Sequence, residues 1–211
     1  MSFNPLKNHR ILVIDDNRAI HEDFRKILLT VSKTSDDLDA PEAELFGQTT
    51  VDLKPPVFEI DSAYQGQEGL ELVEKSLWED RPYAMAFVDI RMPPGSDGVG
   101  IISRIWQRYP DLQVVLCSAY SDYSWEDMLK VLGFTDRLLI LKKPFENIEV
   151  LQLAIAMTEK WRLLQQVRLR LDDLERIVKE RTLALKTAKA AEARREATHL
   201  NAPGSTLVDR V

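Results

Sequence analysis

Asp15 and Asp16 close the apolar run Ile11-Leu12-Val13-Ile14, and Asp89 closes Ala86-Phe87-Val88. Ser118 follows Val114-Val115-Leu116-Cys117, and Lys143-Pro144 follows Leu138-Leu139-Ile140-Leu141 with one lysine between. Three carboxylates, one hydroxyl and one ammonium are groups that can hold a hard divalent cation beside a phosphoryl group. Carboxylate oxygens suit the cation, and the hydroxyl and ammonium can donate to phosphoryl oxygens. Each residue alone is uninformative, because acids and lysines often stand at strand ends and serine often begins a loop. Their order at four apolar run ends is what carries information.

The runs are short, rich in β-branched and bulky residues, and separated by amphipathic stretches, the pattern of buried parallel strands joined by helices. The fold class is therefore an open, doubly wound α/β sheet of five parallel strands. In such a sheet the ligand chemistry collects at the carboxyl edge, so the five side chains are expected to converge there.

The segment from Ala19-Ile20 to Leu28-Leu29 has the apolar spacing of a first helix. A long insert, about residues 31–56, separates it from a second strand near Val57 to Ile60, and Glu42 to Phe46 could form a helical turn in it. Loops of this length are uncommon inside compact domains. A connection from helix to strand lies at the edge opposite the strand carboxyl ends, so the insert is expected far from the pocket. Further helices are read over Gln67 to Leu77, about Val99 to Tyr109, and Trp125 to Leu132, with a third strand over Tyr83 to Asp89. The cluster Met92-Pro93-Pro94-Gly95-Ser96-Asp97-Gly98 reads as a turn.

From Asn147 the helical pattern does not stop. Val150, Ala154, Met157, Trp161 and Leu164 alternate by four and three, and Val167, Leu171, Leu174, Val178, Arg181, Leu185 and Ala188 resume the alternation after a shifted step. Such spacing specifies a coiled-coil seam, and the step from Leu164 to Val167 breaks the heptad frame. The helix after Val167 would run for about 40 Å with no partner elsewhere in the chain, so a second copy is the expected cover. Three regions are read: 1–157 as a globular domain, 158–197 as a coiled-coil helix, and 198–211 as a flexible tail.

Val13-Ile14-Asp15-Asp16-Asn17, Val88-Asp89-Ile90-Arg91-Met92-Pro93, Cys117-Ser118-Ala119 and Lys142-Lys143-Pro144-Phe145 stand in the order found in one known family. From roughly Arg10 to Met157 the chain resembles the receiver domain of two-component response regulators. The resemblance implies a flavodoxin-like sheet with strand order 2-1-3-4-5. It further implies Asp89 as phosphoacceptor, Asp15, Asp16, Asp89 and the backbone carbonyl of Arg91 around Mg²⁺, and Ser118 and Lys143 on phosphoryl oxygens. A sensor histidine kinase or phosphotransfer protein is the implied donor, and the peptide bond before Pro144 is typically cis in the family. One departure is visible. The aromatic switch residue three positions before the lysine is Ile140 here, leaving Tyr120 and Tyr123 as aromatic alternatives.

A net charge of −6 argues against nucleic acid as the bulk partner. In the C-terminal helix the basic residues are interleaved with Asp172, Asp173, Glu175, Glu180 and Glu192, which fits a solvated face. No apolar run is long enough to span a bilayer and the N-terminus lacks the apolar core of a signal peptide, so a cytoplasmic protein is expected. Cys117 is the single cysteine, inside an apolar strand, where packing is the expected role.

The reading that follows is a phosphorylated signalling domain rather than an enzyme, acting as a homodimer through its helix on an output domain or partner. The alternative is a phosphorylation-independent dimerising scaffold, and the intact acid, Ser and Lys set argues against it. A haloacid dehalogenase type of enzyme would need a second Asp two positions after its nucleophile, which Asp15-Asp16-Asn17 lacks.

Overall fold

The computed structural model describes residues 7–33, 56–92, 96–119 and 125–200. The chain divides into two units, Met1–Gln165 and Gln166–Val211. In the first, β1 (Arg10–Ile14), β2 (Glu59–Ala63), β3 (Met85–Asp89), β4 (Gln113–Ser118) and β5 (Leu138–Lys142) form one parallel sheet. Its order is 2-1-3-4-5, as expected, joined by α1 (Arg18–Lys33), α2 (Gly66–Trp78), α3 (Gly98–Arg108) and α4 (Trp125–Leu132).

The sequence produces two cores because strand side chains alternate between faces. Ile11 and Val13 of β1 join Met85, Phe87, Val115 and Cys117 on one face, where Phe24 and Leu28 of α1 and Val150, Ala154 and Met157 cover them. Leu12 and Ile14 join Ala86, Val88, Val114 and Leu116 on the other, under Leu70 and Val73 of α2 and Ile102 and Ile105 of α3. Every second residue of the central strands is thus apolar toward each face, hence the continuous apolar runs. Each fully buried aliphatic side chain of this kind contributes roughly 1.5–3 kcal/mol.

Several differences from expectation have local causes. The second strand covers Glu59–Ala63 rather than starting at Val57, because the polar residues Asp61 and Ser62 are paired rather than loop-forming. Asp61 accepts from Arg10 at 2.6 Å and from the Tyr83 hydroxyl at 2.8 Å, and the Arg10 guanidinium lies 4.4 Å from the Tyr83 ring centre. Desolvation and the bonded Asp61 push the Tyr83 hydroxyl well above its usual range. The turn cluster after β3 holds a two-residue antiparallel hairpin, Arg91–Met92 with Ser96–Asp97. The suggested helical turn at Glu42 to Phe46 lies outside the described residues, as do Tyr120 and Tyr123.

Helix α5 runs from Asn147 to Leu200. Within the first unit it buries Val150, Ala154, Met157 and Trp161, and the Trp161 indole N–H donates to the Tyr109 hydroxyl at 2.6 Å. Gln165 reaches Asp111 at 3.2 Å. The unit boundary after Gln165 falls inside the step from Leu164 to Val167 where the heptad frame breaks. In the second unit Val167, Leu171, Leu174 and Val178 are all exposed. Among the described residues no helix is long and apolar enough to cross a membrane.

Candidate functional site

The sheet brings the chemistry-bearing residues to its carboxyl edge by register. Ile14 stands beside Val88 and Ala63, Asp89 beside Cys117, and Ser118 beside Lys142, so the residues that follow or end these strands meet at one rim. The Lys143 Nζ donates to Asp15 Oδ2 at 2.8 Å and to Asp89 Oδ1 at 2.7 Å. Carboxylate oxygens of Asp15, Asp16 and Asp89 all lie within 4.8 Å of one another. Asp15 is buried, Asp89 nearly so, and Asp16 is exposed, so the cluster opens to solvent on the Asp16 side.

The backbone around each acid is fixed locally. The Asn17 N–H donates to Asp15 Oδ1 at 2.9 Å, and the Arg91 N–H donates to Asp89 Oδ2 at 3.1 Å. Gly98 is required by close approach: its N–H donates to the Ile90 carbonyl at 2.9 Å, and a Cβ there would collide with the Asp89 carbonyl oxygen. Asp97 caps α3 by accepting from the Val99 N–H at 3.0 Å. Asp-Gly in the turn therefore starts α3 directly against the strand end that carries Asp89.

Electrostatically, Asp89 is held above the ordinary carboxylate range, chiefly by desolvation and also by the Asp15 charge, against the lowering effect of Lys143. Burial acts to lower Lys143, but its hydrogen bonds and charge attraction to Asp15 and Asp89 prevail, so the ammonium stays charged above its usual range. Burial pushes the Cys117 thiol far up, which leaves it a packing residue.

Three carboxylates around one ammonium leave excess negative charge in a partly desolvated cluster of oxygen donors. That composition fits a hard divalent cation with few protein ligands, such as Mg²⁺. Among the described residues, Asp15, Asp16 and Asp89 form an acidic group that could hold it.

Ser118 ends β4 with its hydroxyl donating to the Ala119 carbonyl at 2.9 Å, and its own carbonyl accepts from the Lys143 N–H at 2.7 Å. The Lys143-Pro144 peptide bond is cis. Ile140 is partly buried against the apolar core.

The sequence profile of the response regulator receiver domain matches residues 48–155, just over half of the chain. The chain belongs to that family. The match begins inside the insert, so β1 with its acidic pair lies upstream of it, and the sheet supplies that missing first strand. A search of curated proteins found no match. Solved structures similar to this receiver include an adenylate cyclase from Rhodopirellula baltica, at 20% identity and a TM-score of 0.56 over 78% of this chain and 98% of that one. They also include the signal receiver domain of an HD domain-containing protein from Pseudomonas fluorescens Pf-5, at 16% identity and 0.53 over 79% and 96%. A response regulator receiver protein from Sinorhizobium medicae WSM419 matches at 17% identity and 0.50 over 74% and 98%. At these identities the likeness establishes the fold.

Sequence reasoning missed His21. It is buried on α1 with its Nε2 2.7 Å from the Asp15 carbonyl oxygen and its Nδ1 3.0 Å from the Ser62 hydroxyl. A signal was present: His21, Phe24 and Leu28 occupy one helix face, so a polar ring stood where an apolar side chain was expected.

Proposed function

We propose that the protein accepts a phosphoryl group on Asp89 from the phosphohistidine of a sensor histidine kinase or phosphotransfer protein. The observation that carries this is the Lys143 ammonium seated between Asp15 and Asp89, with Asp16 completing an oxygen cluster at the same rim. An Asp89 carboxylate oxygen forms the new O–P bond while the P–N bond to the donor imidazole breaks. Carboxylates are poor nucleophiles, and charge builds up as donor and acceptor approach, so positioning and neutralisation do most of the work. A bound Mg²⁺, held by Asp15, Asp16, Asp89 and the Arg91 carbonyl, would offset negative charge on the phosphoryl oxygens and the acceptor.

The remaining roles fall to this chain's own donors. Lys143 already pairs with Asp89, so its flexible ammonium can follow the charge onto a phosphoryl oxygen. The Ser118 hydroxyl, now on the carbonyl of its neighbour, can rotate to donate to another. Ile140 cannot act as an aromatic switch, so a response through that position would be one of aliphatic packing.

The signal is proposed to leave through a homodimer of the helix beyond Gln165, directed at an output domain or partner. Val167, Leu171, Leu174 and Val178 are exposed along that helix in a single chain. Its exposed ion pairs, Arg176 with Asp173 at 3.0 Å and with Glu180 at 3.9 Å, contribute only about 0.3–0.5 kcal/mol each. A partner helix covering the apolar positions is the stronger source of stability. The proposed compartment is the cytoplasm.

The reading is tested with acetyl phosphate and Mg²⁺, followed by intact mass. The parent is expected to gain one phosphoryl group and Asp89→Asn none. A Mg²⁺-dependent adduct that persists in Asp89→Asn would move the acceptor elsewhere.

A further inference from the structure

We propose that His21 is a positioning residue for the cation-binding arm of this site, acting through the peptide that joins Asp15 to Asp16. The proposal rests on the Mg²⁺ reading above and assigns a role to a residue outside the acid, hydroxyl and lysine set.

His21 is 2% exposed and both its ring nitrogens are engaged. A carbonyl can only accept, so Nε2 carries the hydrogen and donates to the Asp15 oxygen at 2.7 Å. The other ring nitrogen, Nδ1, is hydrogen-bonded to the Ser62 hydroxyl at 3.0 Å. The Ser62 oxygen in turn accepts from the Arg25 guanidinium at 2.9 Å, and the Tyr64 ring packs 4.6 Å from the imidazole centre. The ring is thereby fixed in orientation from β2 and from α1.

What it holds is the Asp15 main chain. The Asp15 N–H donates to the Ala63 carbonyl at 3.1 Å, its Oδ1 accepts from the Asn17 N–H, and its Oδ2 accepts from Lys143. The bond from His21 is to the remaining acceptor, the carbonyl. Because the peptide unit is planar, fixing that oxygen fixes the plane from which Asp16 departs. Asp16 is exposed and has little packing to place it, so its aim toward Asp15 and Asp89 depends on the backbone. Partners that orient ligands from outside typically matter about 10–100-fold in metal affinity.

A role in packing alone predicts something different. An aliphatic side chain of similar volume would fill the face shared with Phe24 and Leu28 and leave no unpaired ring nitrogen. It would also leave the Asp15 carbonyl without its donor. A glutamine can carry an amide N–H to nearly the place of Nε2.

The test is Mg²⁺ titration by calorimetry on the full chain, the parent against His21→Leu, His21→Gln and Ser62→Ala, with melting in EDTA recorded for each. His21→Leu is expected to weaken Mg²⁺ by about tenfold or more, equivalent to about 1.4 kcal/mol. His21→Gln should recover most of that affinity, and Ser62→Ala should lose severalfold with its EDTA melt unchanged. The proposal falls if folded His21→Leu binds Mg²⁺ like the parent, or if His21→Gln is as weak as His21→Leu. Should His21→Leu fail to fold, Ser62→Ala decides: parental affinity in that variant overturns the proposal. A parent that does not bind Mg²⁺ removes the metal reading itself, whereas a parent that binds with unaffected variants removes only the role of His21.

Discussion

Lys143 and Asp89 are 54 residues apart in the chain and 2.7 Å apart in the fold, and the same ammonium lies 2.8 Å from Asp15. One cation thus neutralises part of two carboxylates that would otherwise repel, at the rim where three strands end. The compensation is incomplete, since desolvation still holds Asp89 above the ordinary carboxylate range. The site therefore keeps residual negative charge around a nearly buried carboxylate.

The raised Asp89 pKa gives a stability prediction with a definite sign. The folded state holds the Asp89 proton more tightly than the unfolded chain does, so ionisation above the folded pKa costs stability and the cost vanishes as pH falls through it. Without divalent cation, Asp89→Asn is expected to melt higher than the parent at pH 7, and the gap should close in acid. Urea or thermal melts at several pH values in EDTA check this. A parent more stable than the variant throughout would mean that the bond to Lys143 outweighs desolvation.

Mg²⁺ is expected to stabilise the parent because the three acids are assembled only in the native state. At free Mg²⁺ about 100-fold above Kd, the gain is about 2.7 kcal/mol for binding to the native state alone. Asp16→Asn should abolish most of the thermal shift, and EDTA should reverse it. An equal shift in Asp16→Asn would take the exposed acid out of the cation site.

The sheet was legible because parallel strands buried on both faces leave uninterrupted apolar runs, and the acids, Ser118 and Lys143 mark where those runs end. The second strand lies later than its apolar residues alone suggest, because Asp61 and Ser62 resemble loop residues in the sequence but pair with Arg10, Tyr83 and His21 in the fold. The role of His21 depends on a carbonyl and a hydroxyl from separate segments, so no local pattern announces it. Trp161 was legible as part of a helical stripe, but its bond to Tyr109, 52 residues earlier, is tertiary and extends the first unit to Gln165.

Dimerisation is expected to reside beyond Gln165. Leu171→Glu with Leu174→Glu places charges at adjacent seam positions and should yield a monomer while leaving acetyl-phosphate labelling intact. Sedimentation velocity on the parent and the double variant distinguishes the outcomes. A double variant that dimerises as tightly as the parent would locate the interface on the first unit.

The insert is expected to leave the pocket chemistry nearly untouched. Its downstream strand starts at Glu59, whose N–H donates to the His9 carbonyl at 3.2 Å and which pairs in register with Arg10, at the beginning of β1. The acids follow the other end of β1, about 15 Å away at roughly 3.3 Å per residue. The junction of the insert before β2 therefore belongs to the edge of the sheet remote from Asp15 and Asp89. Replacing residues 34–55 with a short Gly/Ser linker should change Mg²⁺ affinity and the labelling rate by less than about twofold, or roughly 0.4 kcal/mol. Circular dichroism and melting establish that the variant folds. A well-folded variant that labels tenfold more slowly would show that this segment reaches the pocket or is coupled to it through β2, where Ser62 holds the His21 ring.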